Sequence, residues 1–129
     1  MNKKILIAGS ILGLLGIILG AFGAHGLEKL VDADAVNTFE TGVRYQMYHA
    51  FFLLILGGTS FVTLRTKKIV FYLVLIGVLF FSGSIYGLAT NQLSSFDFKT
   101  IAWITPIGGL LLISAWAMVL IGIIRNEVD

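Results

Sequence analysis

The sequence predicts an all-α, polytopic membrane protein: one bundle of four transmembrane helices joined by short loops. Hydrophobic residues make up 57% of the 129 positions and charged residues only 12%, whereas soluble domains carry about 25% charged residues. The hydrophobic residues fall in four runs of about 20 residues or more, each long enough to cross a hydrocarbon core of roughly 30 Å as a helix. The runs cover residues 5–24, 43–64, 69–89 and 101–124.

The segments between the runs set the domain organisation. Too few residues remain there to fold a soluble domain, so residues 1–129 are predicted to form a single membrane domain. The helices are expected at about residues 4–24, 37–64, 68–90 and 100–125.

Five glycines form one stripe of the first predicted helix. Their separations of four, three, four and three residues match the heptad-like period of a helical packing seam. Glycine weakens a helix by about 1 kcal/mol per residue, so the stripe must gain something from the missing side chains. In a membrane that gain is the close approach of another helix. The predicted packing seam consists of Gly9, Gly13, Gly16, Gly20 and Gly23.

The second predicted helix has a polar first half. Asn37 followed by Glu40 resembles a capping box, so the helix is expected to begin there. Arg44 then lies one turn after Glu40 and is expected to reach the interface or to pair with that carboxylate. One polar face must look into the bundle, either as a clamp onto the neighbouring helices or as a ligand or ion site. The candidate residues of this helix are Glu40, Arg44, Tyr45, Gln46 and His49.

Small and hydroxyl-bearing residues share the last turns of the third predicted helix. Gly83 and Gly87 form a Gly-x-x-x-Gly motif, which predicts close helix packing. Ser82, Ser84 and Tyr86 lie beside them and are expected to hydrogen-bond across helices. Ser82 and Tyr86, one turn apart, are also placed to line a pocket.

The fourth predicted helix starts or breaks at Thr105 and Pro106. If Pro106 is the first helical residue, Thr105 caps the helix. If the helix begins earlier, Pro106 kinks it and frees the carbonyl of Ala102. We interpret the segment as a packing accommodation, and Trp116 further along is also expected to be a packing residue. The packing positions predicted here are Pro106, Gly108 and Gly109.

Basic residues decide the predicted orientation. With both termini in the cytoplasm, six basic residues lie inside and three outside, which satisfies the positive-inside rule. The inside set is Lys3, Lys4, Arg65, Lys67, Lys68 and Arg125, and the outside set is Lys29, Arg44 and Lys99. Polar residues of all four helices then meet in the outer half of the membrane, from His25 in the first helix to Thr105 in the fourth. This polar layer is the candidate ligand or structural site.

Each predicted helix carries a short motif of small and polar residues. The motifs are Gly20-Ala-Phe-Gly-Ala-His-Gly-Leu27, Thr41-Gly-Val-Arg-Tyr-Gln-Met-Tyr-His-Ala50, Phe81-Ser-Gly-Ser-Ile-Tyr-Gly-Leu88 and Thr105-Pro-Ile-Gly-Gly109. Over nearly the whole chain they resemble the domain-of-unknown-function 423 family, which are small bacterial inner-membrane proteins with four predicted helices. The resemblance implies the fold and an inner-membrane location. The family brings no established activity, so no catalytic residues are carried over.

The residue inventory excludes several chemistries. The chain has no cysteine, which excludes disulfides, thiol catalysis and cysteine-ligated zinc. A net charge of +2 is too small to indicate nucleic-acid binding. The sequence offers no carboxylate pair, zinc signature or Ser-His-Asp arrangement. We therefore predict that the protein is not an enzyme and has no metal site.

The two histidines raise one cofactor hypothesis. His25 and His49 on neighbouring helices are able to hold a single haem between them only if they lie at equal depth. We favour hydrogen-bonded structural or ligand-contacting roles for both, and predict no cofactor.

Three functional hypotheses remain open. The leading one is a non-enzymatic bundle that binds a lipid or a partner protein, or that supports envelope integrity. The alternative is a small transporter or channel that uses the outer polar layer. A lesser alternative is a quinone-linked redox protein with a haem on the two histidines. The predicted partners are membrane lipids and either a second copy of the chain or another membrane protein.

Overall fold

Four long helices make up most of the computed structural model, which describes residues 1–126. The helices are α1 (Asn2–His25), α2 (Ala33–Gly58), α3 (Leu64–Ala89) and α4 (Ile104–Arg125). Single-turn 3-10 helices at Leu27–Lys29, Asn91–Leu93 and Phe98–Ile101 lie in the connections. The prediction of an all-α four-helix protein with short loops is confirmed.

Three of these helices, α1, α3 and α4, are long and apolar enough to cross a membrane. The 26-residue α2 is less apolar because it carries charged and polar side chains between Asp34 and His49. Its last nine residues, 50–58, include no charged residue. The polar residues of the candidate site are therefore concentrated on the helix that contacts both α1 and α3.

The predicted start of α2 at Asn37 is wrong. Asp32 is the N-cap, and its Oδ1 accepts a hydrogen bond from the backbone N–H of Ala35 at 2.8 Å. A helix that is capped at Asp32 runs on through Asn37, whose carbonyl accepts the Thr41 hydroxyl at 3.1 Å. The helix therefore gains one additional turn at its polar end.

The boundary between α2 and α3 also differs from the prediction. Hydrophobic content extends to residue 64, but α2 ends at Gly58 and α3 begins at Leu64. The hydroxyl of Thr63 caps α3 by accepting the backbone N–H of Thr66 at 3.3 Å. Residues 59–63 form the connection, and Arg65 lies in the first turn of α3.

The start of α4 fits neither alternative proposed for Pro106. The helix begins at Ile104, so Pro106 is its third residue, where no intrahelical N–H bond is needed. Thr105 is inside the helix and does not cap it. Its N–H donates to the carbonyl of Ala102 at 3.2 Å, so that carbonyl is not freed.

The glycine seam of α1 lies against α2, and three of its members are buried there. A Cβ added at Gly9 would lie 3.0 Å from the carbonyl oxygen of Ala50, a contact with backbone. Gly16 and Gly23 likewise lie against side chains of α2. These three positions, seven residues apart, are where α1 approaches α2 most closely.

The other two seam glycines have more space. A Cβ at Gly13 would lie 3.8 Å from the Cβ of Ala50, and one at Gly20 would lie 3.4 Å from Val43. Both values are close to ordinary van der Waals distances. The seam therefore alternates between positions where an added methyl group is crowded and positions that tolerate one.

A second close approach joins α3 to α4. A Cβ at Gly108 would meet the backbone N of Phe81 and lie 2.9 Å from the carbonyl oxygen of Gly77. Gly77, which is not among the predicted packing positions, is the reciprocal small residue: a Cβ added there would lie 2.7 Å from Leu112. Gly109, in contrast, has 3.6 Å to its nearest neighbour.

The predicted close packing at the Gly-x-x-x-Gly motif of α3 is correct for Gly87 and wrong for Gly83. A Cβ at Gly87 would lie 2.5 Å from the ring of Phe98, so this glycine does pack closely. Gly83 is exposed, and within residues 1–126 a Cβ added there has no neighbour within 4 Å beyond the adjacent backbone of its own helix. The motif is not a single helix-packing face in this chain, because the two glycines have different surroundings.

Lys67 connects three segments at the end of the bundle where α1 begins and α4 ends. It is buried, and its Nζ donates to Asn2 Oδ1 at 3.0 Å and to the carbonyl of Thr59 at 2.6 Å. It thereby joins the start of α1, the end of α2 and the first turn of α3. The sequence alone predicts for Lys67 only a contribution to membrane orientation.

Candidate functional site

Gln46 is the centre of the buried polar layer, with only 4% of its surface exposed. Its Nε2 donates to the carbonyl of Leu12 in α1 at 2.9 Å. Its Oε1 accepts the hydroxyl of Tyr86 in α3 at 2.6 Å. One side chain of α2 therefore fastens both neighbouring helices.

Two serines extend this layer across α3. The hydroxyl of Ser82, which is buried, donates to the carbonyl of Gly42 at 2.8 Å. The hydroxyl of Ser84 lies 2.5 Å from that of Thr105 in α4. Hydroxyl bonds of this kind join neighbouring helices in a membrane, and here they link α3 to α2 on one side and to α4 on the other.

Both ring nitrogens of His49 have partners. The indole N–H of Trp116 donates to Nε2 at 3.1 Å. Because Nε2 accepts, the proton of the neutral imidazole is on Nδ1, which donates to the carbonyl of Tyr45 at 2.6 Å. Trp116 was predicted to be only a packing residue, and the structure gives it a polar contact as well.

The structure does not bring the two histidines together. Gly23 lies against Phe39 and Gly13 against Ala50, so His25 is level with about residue 37 of α2. That position is about 12 residues, or roughly 18 Å, from His49 along the helix. His25 is exposed, and the arrangement lacks the equal depth that a shared haem requires. Among residues 1–126, no group of three or more His, Cys, Asp or Glu side chains is placed to hold a metal ion.

Arg44 and Tyr45 lie on the outer surface of α2. The one hydrogen bond that the Arg44 guanidinium makes within the described chain goes to the Thr41 hydroxyl, at 3.1 Å, and not to Glu40. The ring of Tyr45 packs against Phe81 of α3 at a centroid distance of 4.9 Å. The predicted polar layer therefore divides into a buried network and an exposed surface, with His25 remote from both.

A groove between α2 and α4 runs past the exposed part of this layer. Trp116 stands within it and borders two hollows, of about 430 Å³ on the side of Tyr45 and about 360 Å³ on the side of Thr59. The first hollow is lined by Tyr45, His49, Phe81, Gly109, Leu112, Ile113 and Trp116. The second is lined mainly by Tyr48, Phe52, Ile55, Val62, Val119 and Ile123. We call the two hollows together the α2–α4 groove.

The α2 wall of the groove is a regular helical stripe. Its residues are separated by three, four, three and four positions, which keeps them on one face of the helix. They are Tyr45, Tyr48, Phe52, Ile55 and Thr59. The groove is not predicted from the sequence because its second wall comes from α4, more than fifty residues away.

The chain is similar to bacterial proteins over nearly its whole length and theirs. Residues 19–109 match the family model described as a protein of unknown function (DUF423). A UPF0382 membrane protein of Staphylococcus saprophyticus is 41% identical, over 93% of this chain and 96% of that protein. The UPF0382 membrane protein YwdK of Bacillus subtilis is 36% identical, over 95% of this chain and 98% of that protein.

A third relative carries a location in its name. The UPF0382 inner membrane protein YgdD of Escherichia coli is 36% identical, over 96% of this chain and 92% of that protein. No solved structure matches the chain. The matched motifs, the four-helix fold with three apolar membrane-length helices, and these relatives agree, and the chain belongs to the DUF423 family of membrane proteins.

Proposed function

We propose that this protein is a non-catalytic protein of the cytoplasmic membrane that binds the acyl chain of a lipid in the α2–α4 groove. One observation carries the proposal: the groove has apolar walls and is open along the outside of the bundle, where a surrounding membrane would place lipid. Its rim residues Tyr48, Ile55 and Ile113 each expose more than half of their surface, at 53%, 57% and 66%. Such a groove gives a hydrocarbon chain walls on several sides.

The physical reason is the contact that an open groove gains when it is filled. An empty hollow forfeits the dispersion contacts of its walls, and in a membrane the abundant apolar chain is the lipid tail. The fixed aromatic walls, Tyr48, Phe52 and Trp116, distinguish the groove from the convex surface of a single helix. A chain seated there is expected to exchange more slowly than the surrounding lipid.

The non-catalytic part of the proposal is supported by the pairing of the buried polar groups. Gln46 of α2 is hydrogen-bonded to α1 and to Tyr86 of α3, and Ser82 of α3 is hydrogen-bonded to α2. Both nitrogens of His49 are engaged as well. We propose that these groups hold the helices in register and thereby shape the groove, with both termini in the cytoplasm as the distribution of basic residues favours.

Native mass spectrometry of the protein in mild detergent tests the proposal. Gly109 lines the groove, and a Cβ added there is 3.6 Å from its nearest neighbour, so Gly109→Leu is expected to fold and to fill the hollow beside Tyr45. Gly83→Leu is the matched control, because Gly83 is exposed on α3 away from the groove.

The expected result is one retained lipid per chain in the wild type and in Gly83→Leu, and a much smaller lipid-bound fraction in Gly109→Leu. Equal lipid retention in all three proteins would contradict the proposal. So would a lipid-free dimer that Gly109→Leu dissociates, since that result would assign the groove to a second copy of the chain.

A further inference from the structure

Arg44 places a cation near the membrane surface, at the depth where α4 begins. Its guanidinium is bonded to Thr41, the neighbour of Gly42 in sequence. Ser82 fixes the carbonyl of Gly42 against α3, and two residues further along α3 Ser84 is bonded to Thr105. The guanidinium is therefore near the depth of the first turn of α4, and membrane-spanning helices begin close to the lipid head groups.

Most of the donor capacity of Arg44 is unused. A guanidinium carries five N–H donors in a planar fork. Within residues 1–126 the Arg44 guanidinium makes one hydrogen bond, which uses a single Nη2 hydrogen. The Thr41 hydroxyl that accepts it donates in turn to the carbonyl of Asn37 at 3.1 Å. This chain of bonds orients the guanidinium and leaves its other donors for an external acceptor.

The position of Arg44 relates it to the groove. Thr41, which holds its guanidinium, lies one helical turn before Tyr45, the first residue of the stripe that continues through Tyr48 along the groove wall. From Tyr45 to Thr59 the stripe is about 21 Å long at the usual helical rise. A ligand lying along the stripe would have the Arg44 guanidinium near one end and apolar side chains along the rest of its length.

We propose that Arg44 binds the phosphate of a glycerophospholipid whose acyl chain lies in the α2–α4 groove. An amphiphile with one anionic group and a long apolar tail matches the order of cation and apolar walls along the stripe. Arginine suits this role because its planar fork donates two parallel hydrogen bonds to phosphate oxygens. The inference rests on the proposed function, since it names the head group of the lipid whose chain the groove holds.

A competition experiment separates the head group from the chain. Native mass spectrometry is performed with phosphatidylglycerol and diacylglycerol of identical acyl chains, added together to the purified protein. Phosphatidylcholine, which has the phosphate without net negative charge, is run against diacylglycerol in parallel. The variants are Arg44→Gln and the control Arg125→Gln, which removes an exposed charge at the opposite end of the bundle.

We expect the wild type and Arg125→Gln to retain both phospholipids over diacylglycerol by roughly tenfold, the effect of a charge-assisted hydrogen bond. Arg44→Gln is expected to bind diacylglycerol unchanged and to lose the preference. Inorganic phosphate at millimolar concentration is not expected to compete.

The inference would be overturned by no preference in the wild type, by a preference that survives Arg44→Gln, or by one that Arg125→Gln removes instead. If only phosphatidylglycerol were preferred, net charge and not the phosphate would be recognised, and the inference would also be wrong. Failure of the proposed function gives a different result from failure of this inference, because in that case none of the three lipids is retained by any of the proteins.

Discussion

Trp116 of α4 donates its indole N–H to Nε2 of His49 in α2, and this 3.1 Å hydrogen bond crosses the α2–α4 groove. The indole ring also packs edge-on against Phe52 at a centroid distance of 4.5 Å. Trp116 is nevertheless 53% exposed, so the bond and this one-sided packing hold the indole in place. The bond therefore sets the position of the ring that borders both hollows.

A double-mutant cycle on this pair is expected to show coupling. Trp116→Phe leaves Nε2 of His49 without its donor, and we expect the two single variants and His49→Phe/Trp116→Phe to give a coupling free energy of about 1 kcal/mol. Unfolding in mixed micelles measures it. Trp103→Phe, at an exposed position, is the control and should change stability little. A coupling near zero would show that packing alone positions the indole.

The seam of α1 predicts opposite responses to the same substitution. Gly9→Ala places a Cβ 3.0 Å from the Ala50 carbonyl oxygen and 3.1 Å from Leu53, so the helices must separate, at a cost of about 1–3 kcal/mol. Gly13→Ala has 3.8 Å of space and is expected to be neutral or to stabilise by up to about 1 kcal/mol, because alanine is the better helix former. Unfolding free energies of both variants test this. Equal effects would mean that the seam is uniformly close.

The features predicted correctly from sequence are those that local pattern determines. The number of helices follows from the apolar runs, and the glycine seam follows from its period in one segment. The start of α2 was missed because Asp32 and Asn37 are both acceptable caps, and only the backbone around Asp32 shows which is used. Pattern also does not show that Gly83 faces open space while Gly87 meets Phe98.

The sequence predicts the depth of the candidate site residues in the membrane, but not which of their side chains are in contact. The sequence placed Gln46, Tyr86 and Ser82 in one layer, and the structure joins their helices by hydrogen bonds. It did not pair His49 with Trp116, which is 67 residues away. Such pairs depend on the register and rotation of two helices, which the hydrophobic period of either helix leaves undetermined.

The tyrosine of the buried layer should matter more than its exposed counterpart on the same helix. Tyr86→Phe leaves Oε1 of the buried Gln46 without its donor, which is expected to cost about 1–3 kcal/mol. Tyr72→Phe removes the same hydroxyl from an exposed position of α3 and is expected to stay within about 0.5 kcal/mol of the wild type. Thermal unfolding in detergent compares them. If the two variants were equally stable, the Tyr86 bond would contribute nothing measurable to the fold.

Adjacent glycines at the start of α4 provide the sharpest test of the α3–α4 contact. A Cβ at Gly108 meets the backbone N of Phe81 and the carbonyl oxygen of Gly77, and neither atom can move without shifting α3. Gly108→Ala is therefore expected to destabilise the protein by about 3 kcal/mol or more, or to prevent folding. Gly109→Ala gains the same methyl group one residue later, 3.6 Å from the Phe81 ring, and should fold with wild-type stability. Yield in detergent, size-exclusion profile and unfolding temperature report the difference. A well-folded Gly108→Ala protein of normal stability would mean that α3 and α4 can pack further apart than they do in this structure.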